Sequence, residues 1–136
     1  MTDREAMRKL VEQAYAERAS GNLEGVMAAF HPDAVFELVG DNKILPLAGE
    51  VRGHPNVREA MVGFIDAFKF LKRDIIAFIA EGDRAAVHSR LEIRFAKTNV
   101  TFKTDVTDLF KFRDGKIIEL VEFADTALIK DITSGA

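Results

Sequence analysis

The sequence predicts an α+β fold: a curved antiparallel sheet forming a cone, covered by three N-terminal helices. Two observations carry this. Up to Phe68, apolar residues recur three and four apart, the spacing of a helix face, whereas from Asp74 to Thr126 they alternate as strands do. Within that second half, Glu81-Gly82-Asp83, Lys97-Thr98-Asn99 and Arg113-Asp114-Gly115 are turn signals that divide it into four hairpin-linked strands. Helices first and hairpins after is an α+β order rather than a βαβ one. Long twisted strands beside amphipathic helices curl into a half-open cone, with a pocket between the layers.

Each element has a local reason. Thr2 and Glu5 have the spacing of a capping box, and Met7, Leu10, Val11, Ala14, Tyr15 and Arg18 form the stripe of a first helix. Gly21 ends it, and Asn22 caps a second helix with the stripe Leu23, Val26, Met27 and Phe30, stopped by His31-Pro32. A short strand over 34–38 follows, then a loop from Val39 to Arg52 broken by Gly40, Pro46 and Gly49. Pro55 suits the first turn of a third helix whose face is Val57, Ala60, Met61, Phe64, Ile65 and Phe68. Strands are expected over 74–80, 84–96, 100–112 and 117–126, with a tail from Leu128 to Ile132.

Composition narrows the function classes. The 136 residues suit a single domain, 1–136, with a core that needs no staples. A net charge of −3 with no basic run argues against a nucleic-acid partner. Absence of cysteine excludes a disulfide framework, a thiolate nucleophile and cysteine-ligated metal sites. The three histidines are scattered, so no metal site is expected, and no phosphate loop, dinucleotide fingerprint or nucleophile elbow occurs. No apolar run approaches bilayer length and the N-terminus does not read as a signal peptide, so the expectation is a cytoplasmic protein without membrane partners.

The strongest functional clue lies in the third hairpin strand. Val100, Phe102, Val106, Phe110 and Phe112 define its apolar face, and Asp108 falls on that same face. A carboxylate there is costly unless it is bonded, paired or protonated. One reading is an acid–base group in a pocket; the other is a satisfied core carboxyl, for instance bonded to Tyr15. Glu122 depends on register. A two-residue Asp114-Gly115 turn sets Asp108 against Val121. A three-residue loop, the preferred reading, sets Asp108 against Leu120 and points Glu122 inward beside Val106.

Three stretches, SGNLEGVMAAFHPDAVFEL over 20–38, RGHPNVREAMVGF over 52–64 and DLFKFRDGKIIELVEFADTAL over 108–128, resemble the nuclear transport factor 2-like superfamily. Within it they resemble the ketosteroid isomerase and SnoaL-like polyketide cyclase branches. The resemblance implies a cystatin-like α+β roll with a conical pocket, a homodimer formed through the sheet and chemistry without a cofactor. In ketosteroid isomerases an acid precedes the aromatic-x-aromatic of the penultimate strand, and Asp108 stands there before Phe110 and Phe112. The isomerase's base position holds Leu38. Its tyrosine position holds Ala14, next to Tyr15, and one residue of offset turns a helical side chain by about 100°. Steroid isomerisation by that set is therefore not implied.

The resulting expectation is a pocket for a small hydrophobic molecule walled by Tyr15, Met27, Phe36, Leu38, Met61, Ile65, Leu91 and Phe110. Asp108 would be the proton donor and Glu122 the base of an isomerase, cyclase or dehydratase. A non-catalytic ligand-binding or assembly module is the alternative, marked by a cavity filled by Phe36, Phe64 and Phe110 with Asp108 bonded internally. The ending EFADTAL also resembles limonene epoxide hydrolases, whose carboxylate–arginine–carboxylate set finds its nearest matches in Lys103, Asp105 and Glu122. Alternation, however, places Lys103 and Asp105 on the outer face. Arg52 and His54 stand near a possible mouth, His54 reading as a cap. His31 reads as structural, and His88, Arg90, Glu92 and Arg94 as a row of cross-strand pairs.

Overall fold

The fold is a six-stranded sheet with helices on its concave side, seen in a computed structural model that describes residues 3–134. Helices α1 (Arg4–Ser20) and α2 (Leu23–Met27) precede strands β1 (Phe30–Leu38) and β2 (Gly49–Arg52). Helix α3 (His54–Ala67) leads into β3 (Phe68–Glu81), β4 (Arg84–Phe95), β5 (Val100–Arg113) and β6 (Lys116–Ala124), and α4 (Thr126–Ser134) ends the described chain. The strand order is β2-β1-β6-β5-β4-β3. Neighbours run antiparallel except β1 and β6, which are parallel, so the sheet is mixed where an antiparallel one was expected.

Local chemistry explains most boundaries. Asp3 caps α1 by accepting from the Ala6 amide, in place of the expected Thr2–Glu5 box, and Thr2 lies outside the described residues. Gly21 closes the helix at φ 76°, where a side chain would be strained. The Asn22 side chain accepts from Gly25 N to start α2, as expected. That helix stops at Met27, and Phe30 already belongs to β1. Pro32 is tolerated in β1 because the ladder to β6 skips from Phe30 to Val35, so no amide is needed there.

Three other expectations are corrected. The segment read as a loop from Val39 to Arg52 contains β2, an edge strand too short to show alternation. The strand after α3 begins at Phe68, six residues before the expected Asp74, because bulges at Leu71 and Ile76 break its alternation. The tail is α4, whose Leu128, Ile129 and Ile132 pack on Phe68, Leu91, Ile93, Phe95, Phe102 and Val106. A larger core joins Met7, Val11, Val57, Phe36, Val87 and Phe112 under α1 and α3.

The last hairpin matters most. Asp114 and Gly115, at φ 55° and 71°, make a two-residue turn that pairs Arg113 with Lys116. The three-residue loop preferred from sequence does not form. Phe112 then pairs with Ile117 but Lys111 with Glu119, so Ile118 is an extra residue on β6. This bulge restores the parity the turn would have broken. Asp108 therefore faces Glu122, rather than Val121 or Leu120.

Candidate functional site

The bulge sets two carboxyls side by side inside the cone. Asp108 is 1% exposed, and Tyr15, carried across from α1, donates its hydroxyl to Asp108 Oδ2 at 2.6 Å. Asp108 Oδ1 is buried with no hydrogen-bond partner among the described residues. Arg73 on β3 places Nη1 3.9 Å from Oδ2, too far for a bond but close for charge, and donates to Ser89 Oγ at 2.9 Å. Its guanidinium lies over the Tyr15 ring at 3.5 Å and near Phe70 at 5.6 Å. Arg18 stacks on Phe70 at 3.8 Å and donates to the Phe64 and Phe68 carbonyls at 3.1 and 3.0 Å, bracing the junction of α3 and β3.

Glu122 is half-buried, and the surface it keeps lines the cavity, so its carboxyl is enclosed by protein. Burial first, and the Asp108 charge second, hold this carboxyl well above the ordinary glutamate value, against the pull of Arg73 and Arg18. A side-chain hydrogen bond with Asp108 adds to that rise. Burial and the Asp108 charge likewise push the Tyr15 phenol up, keeping its proton on the hydroxyl. Burial draws Arg18 down to about 10, which leaves it charged at neutral pH.

A cavity of about 110 Å³ opens beside these groups, several times the ~10–15 Å³ that one water requires. Of the expected walls, Tyr15, Phe36, Leu38, Met61 and Phe110 line it. Met27, Ile65 and Leu91 do not: they are buried among other core side chains. Sequence reading missed Arg18, Arg73 and Thr104 in the lining. For Arg73 the signal is hidden, since two bulges make the parity of β3 unreadable.

The remaining candidates are held elsewhere. Asp105 accepts from His88 and Arg90 at 2.8 and 3.0 Å on the outer face, and Lys103 pairs there across from Glu92, so neither meets Glu122. His54 Nε2 bonds the Met27 carbonyl at 3.1 Å, Arg52 pairs with Glu50, and His31 lies 3.5 Å from Asp114. Among the described residues no group of three His, Asp or Glu side chains is arranged to hold a metal ion. None of the helices described is long and apolar enough to cross a membrane. The marks of a non-catalytic module are divided: Asp108 is bonded internally, but Phe36, Phe64 and Phe110 leave the cavity open.

Comparison with known proteins fits this geometry. The family model described as SnoaL-like domain matches residues 11–120, most of the chain. The chain belongs to the SnoaL-like domain family. That match ends at Leu120, short of Glu122. No curated protein sequence matches this SnoaL-like chain. Solved structures show the same fold at low identity. A candidate isomerase from Rhodopseudomonas palustris aligns over 100% of both chains at TM-score 0.83 and 17% identity. TerC, co-crystallised with polyporic acid, aligns over 95% of this chain and 98% of its own, at TM-score 0.82 and 20% identity. An LEH-like epoxide hydrolase from M. tuberculosis aligns over 96% and 88%, at TM-score 0.72 and 21% identity. Similarity at this level shows the nuclear transport factor 2-like fold, which hosts many activities.

Proposed function

We propose that this protein is an acid–base enzyme of the isomerase, cyclase or dehydratase type, acting on a small, mostly hydrophobic molecule with a carbonyl or hydroxyl group. The observation that carries this reading is the pair of carboxyls, Asp108 and Glu122, set opposite each other at the polar end of an apolar cavity, with burial holding Glu122 well above the ordinary glutamate value. The roles are the reverse of those expected from sequence. Asp108 Oδ1 accepts a proton from the substrate carbon or hydroxyl, while Glu122 gives one to the developing oxyanion, leaving a tautomer and an exchanged pair of acids. Tyr15 and Arg73 fix Asp108 and balance its charge. In this reading no cofactor takes part.

The test needs no knowledge of the natural substrate. Deuterium exchange at the carbon next to the carbonyl of a small cyclic ketone, followed by NMR, reports the proposed proton abstraction directly. Faster exchange with the wild type than with Asp108→Asn or Glu122→Gln is expected, and equal rates for all three would remove the proposal. Epoxide opening by water is the second reading, favoured by the fold shared with the M. tuberculosis hydrolase and by Arg73 beside Asp108. Diol formation from cyclohexene oxide without ketone exchange would select it.

We also propose a homodimer through the outer face of the sheet. Ile79, Ala86, Leu109 and Val121 stand in one row across β3, β4, β5 and β6, with Phe123 adjoining. Leu109 and Phe123 are 40% and 45% exposed, a large apolar surface for a monomer to leave in water.

A further inference from the structure

Resting on the acid–base reading of the same cavity, we propose that Thr104 is a second, distal anchor, which selects ligands with a polar oxygen at each end of an apolar body. The reacting carbonyl lies against Asp108 and Glu122, and a far hydroxyl bonds Thr104 Oγ1. Strand β5 sets the two anchors in one line. Its inward row reads Phe102, Thr104, Val106, Asp108 and Phe110, and all five line the cavity. Thr104 and Asp108 are the polar members, and both are buried.

The other polar side chains of the lining have partners. Tyr15 donates to Asp108, Arg73 to Ser89, and Arg18 to the Phe64 and Phe68 carbonyls. Glu122 is bonded to Asp108. Among the described residues, the Thr104 hydroxyl reaches only the carbonyl of its neighbour Asp105, at 3.5 Å, where an O–H···O bond is ordinarily ~2.7–2.8 Å. A buried hydroxyl is seldom served so poorly. Valine would fill the same space without that polar cost, so packing of the strand does not call for the hydroxyl. A ligand oxygen in the cavity does.

Spacing then sets the length of the ligand. β5 pairs with β4 residue for residue from Val100 to Lys111, so no bulge interrupts the run from Thr104 to Asp108. That run covers about 13 Å of strand. Glu122 stands in the same cross-strand row as Asp108, so either carboxyl gives the same measure. One hydrogen bond of ~2.8 Å at each end leaves roughly 7–8 Å between the two ligand oxygens. Two fused six-membered rings substituted at opposite ends have that separation, and a single ring falls short of it. The span between the anchors is apolar: Val106 lies midway and is faced by Ala124, with Phe64, Phe68 and Phe70 among the other walls.

The probes are 2-tetralone, a fused two-ring ketone, and its 6-hydroxy derivative, which adds a hydroxyl at the opposite end. Calorimetric titration of the wild type is expected to give about three- to tenfold tighter binding of the hydroxy ketone, the yield of one neutral hydrogen bond. Thr104→Val removes the hydroxyl and keeps the branched shape, so it should bring that ratio to about one while 2-tetralone binds as before. Thr104→Ser should retain the preference. The urea midpoint of Thr104→Val should be no lower than that of the wild type; a clear drop would assign the hydroxyl to the fold and overturn the anchor. Equal affinities in the wild type, a ratio that survives Thr104→Val, or binding of neither probe also overturn it. Deuterium exchange in 2-tetralone judges the acid–base reading separately. Exchange that depends on Asp108, without any preference for the hydroxy ketone, refutes the anchor alone. A preference abolished by Thr104→Val, without exchange, upholds the anchor and refutes the chemistry.

Discussion

Tyr15→Phe removes one oxygen and nothing else from the site, so it isolates the bond that anchors Asp108. The ring keeps its contacts, tilted against Phe110 at a centroid distance of 6.2 Å and covered by Arg73 at 3.5 Å. What is lost is a 2.6 Å bond from a buried hydroxyl to a buried carboxyl, a class that contributes about 1.5–3 kcal/mol. The hydroxyl no longer has to be desolvated, which returns part of that, so the lower half of the range, ~1.5–2 kcal/mol, is expected. For a chain of 136 residues this corresponds to a fall in Tm of roughly 5–10 °C. Urea unfolding should show a lower midpoint with an unchanged slope. A double-mutant cycle with Asp108→Asn should give a coupling above about 1 kcal/mol. If Tyr15→Phe lies within about 0.5 kcal/mol of the wild type and adds to Asp108→Asn without coupling, the bond does not hold the site together.

Three further outcomes follow from other contacts. Folding raises the proton affinity of Glu122, so its contribution to stability is complete below the ordinary value of 4.5 and is lost as pH climbs through the folded value. Wild-type urea midpoints should therefore fall from about pH 5 to about pH 8 more steeply than those of Glu122→Gln, with ~1.4 kcal/mol at stake for each tenfold rise in proton affinity. Arg18→Met keeps an apolar stem but strips two charge-assisted bonds from the end of α3, which should cost about 1.5–3 kcal/mol and speed hydrogen exchange near Phe68. Leu109→Lys combined with Phe123→Lys should convert the proposed dimer to a monomer in sedimentation. An unchanged sedimentation coefficient would rule out the outer face as the interface.

The parts of the fold that were legible rest on strong local signals. Gly21, Asn22, Pro55 and the three hairpin turns each answer a backbone requirement within a few residues, and each lies where the sequence implies. Missed elements lack such signals. β2 is an edge strand whose pairing with β1 depends on residues more than ten positions away, and its Gly49 at φ 133° erases alternation at its start. The parallel pairing of β1 with β6 is a tertiary fact, invisible to any window of sequence. Arg73 reaches the site only because β3 carries bulges at Leu71 and Ile76, so its inward direction could not be counted from Phe68 or from Ile79.

Asp108 and Glu122 separate two kinds of inference. Alternation fixes the face of a residue relative to neighbours in its own strand, so Asp108 was readable from Phe102, Val106 and Phe110 alone. The direction of Glu122 relative to Asp108 depends on the turn and on every residue between, and one extra residue inverts it. Here two departures compensate. The Asp114-Gly115 turn shifts β6 one way, and the bulge at Ile118 shifts it back, burying both Ile117 and Ile118 in the process. The inward Glu122 expected from a three-residue loop is thus reached by a different path, with a different partner. That partner matters chemically: opposite Leu120, Asp108 would be a lone buried acid, whereas opposite Glu122 it belongs to a pair that, in the proposed reaction, divides the roles of proton holder and proton acceptor.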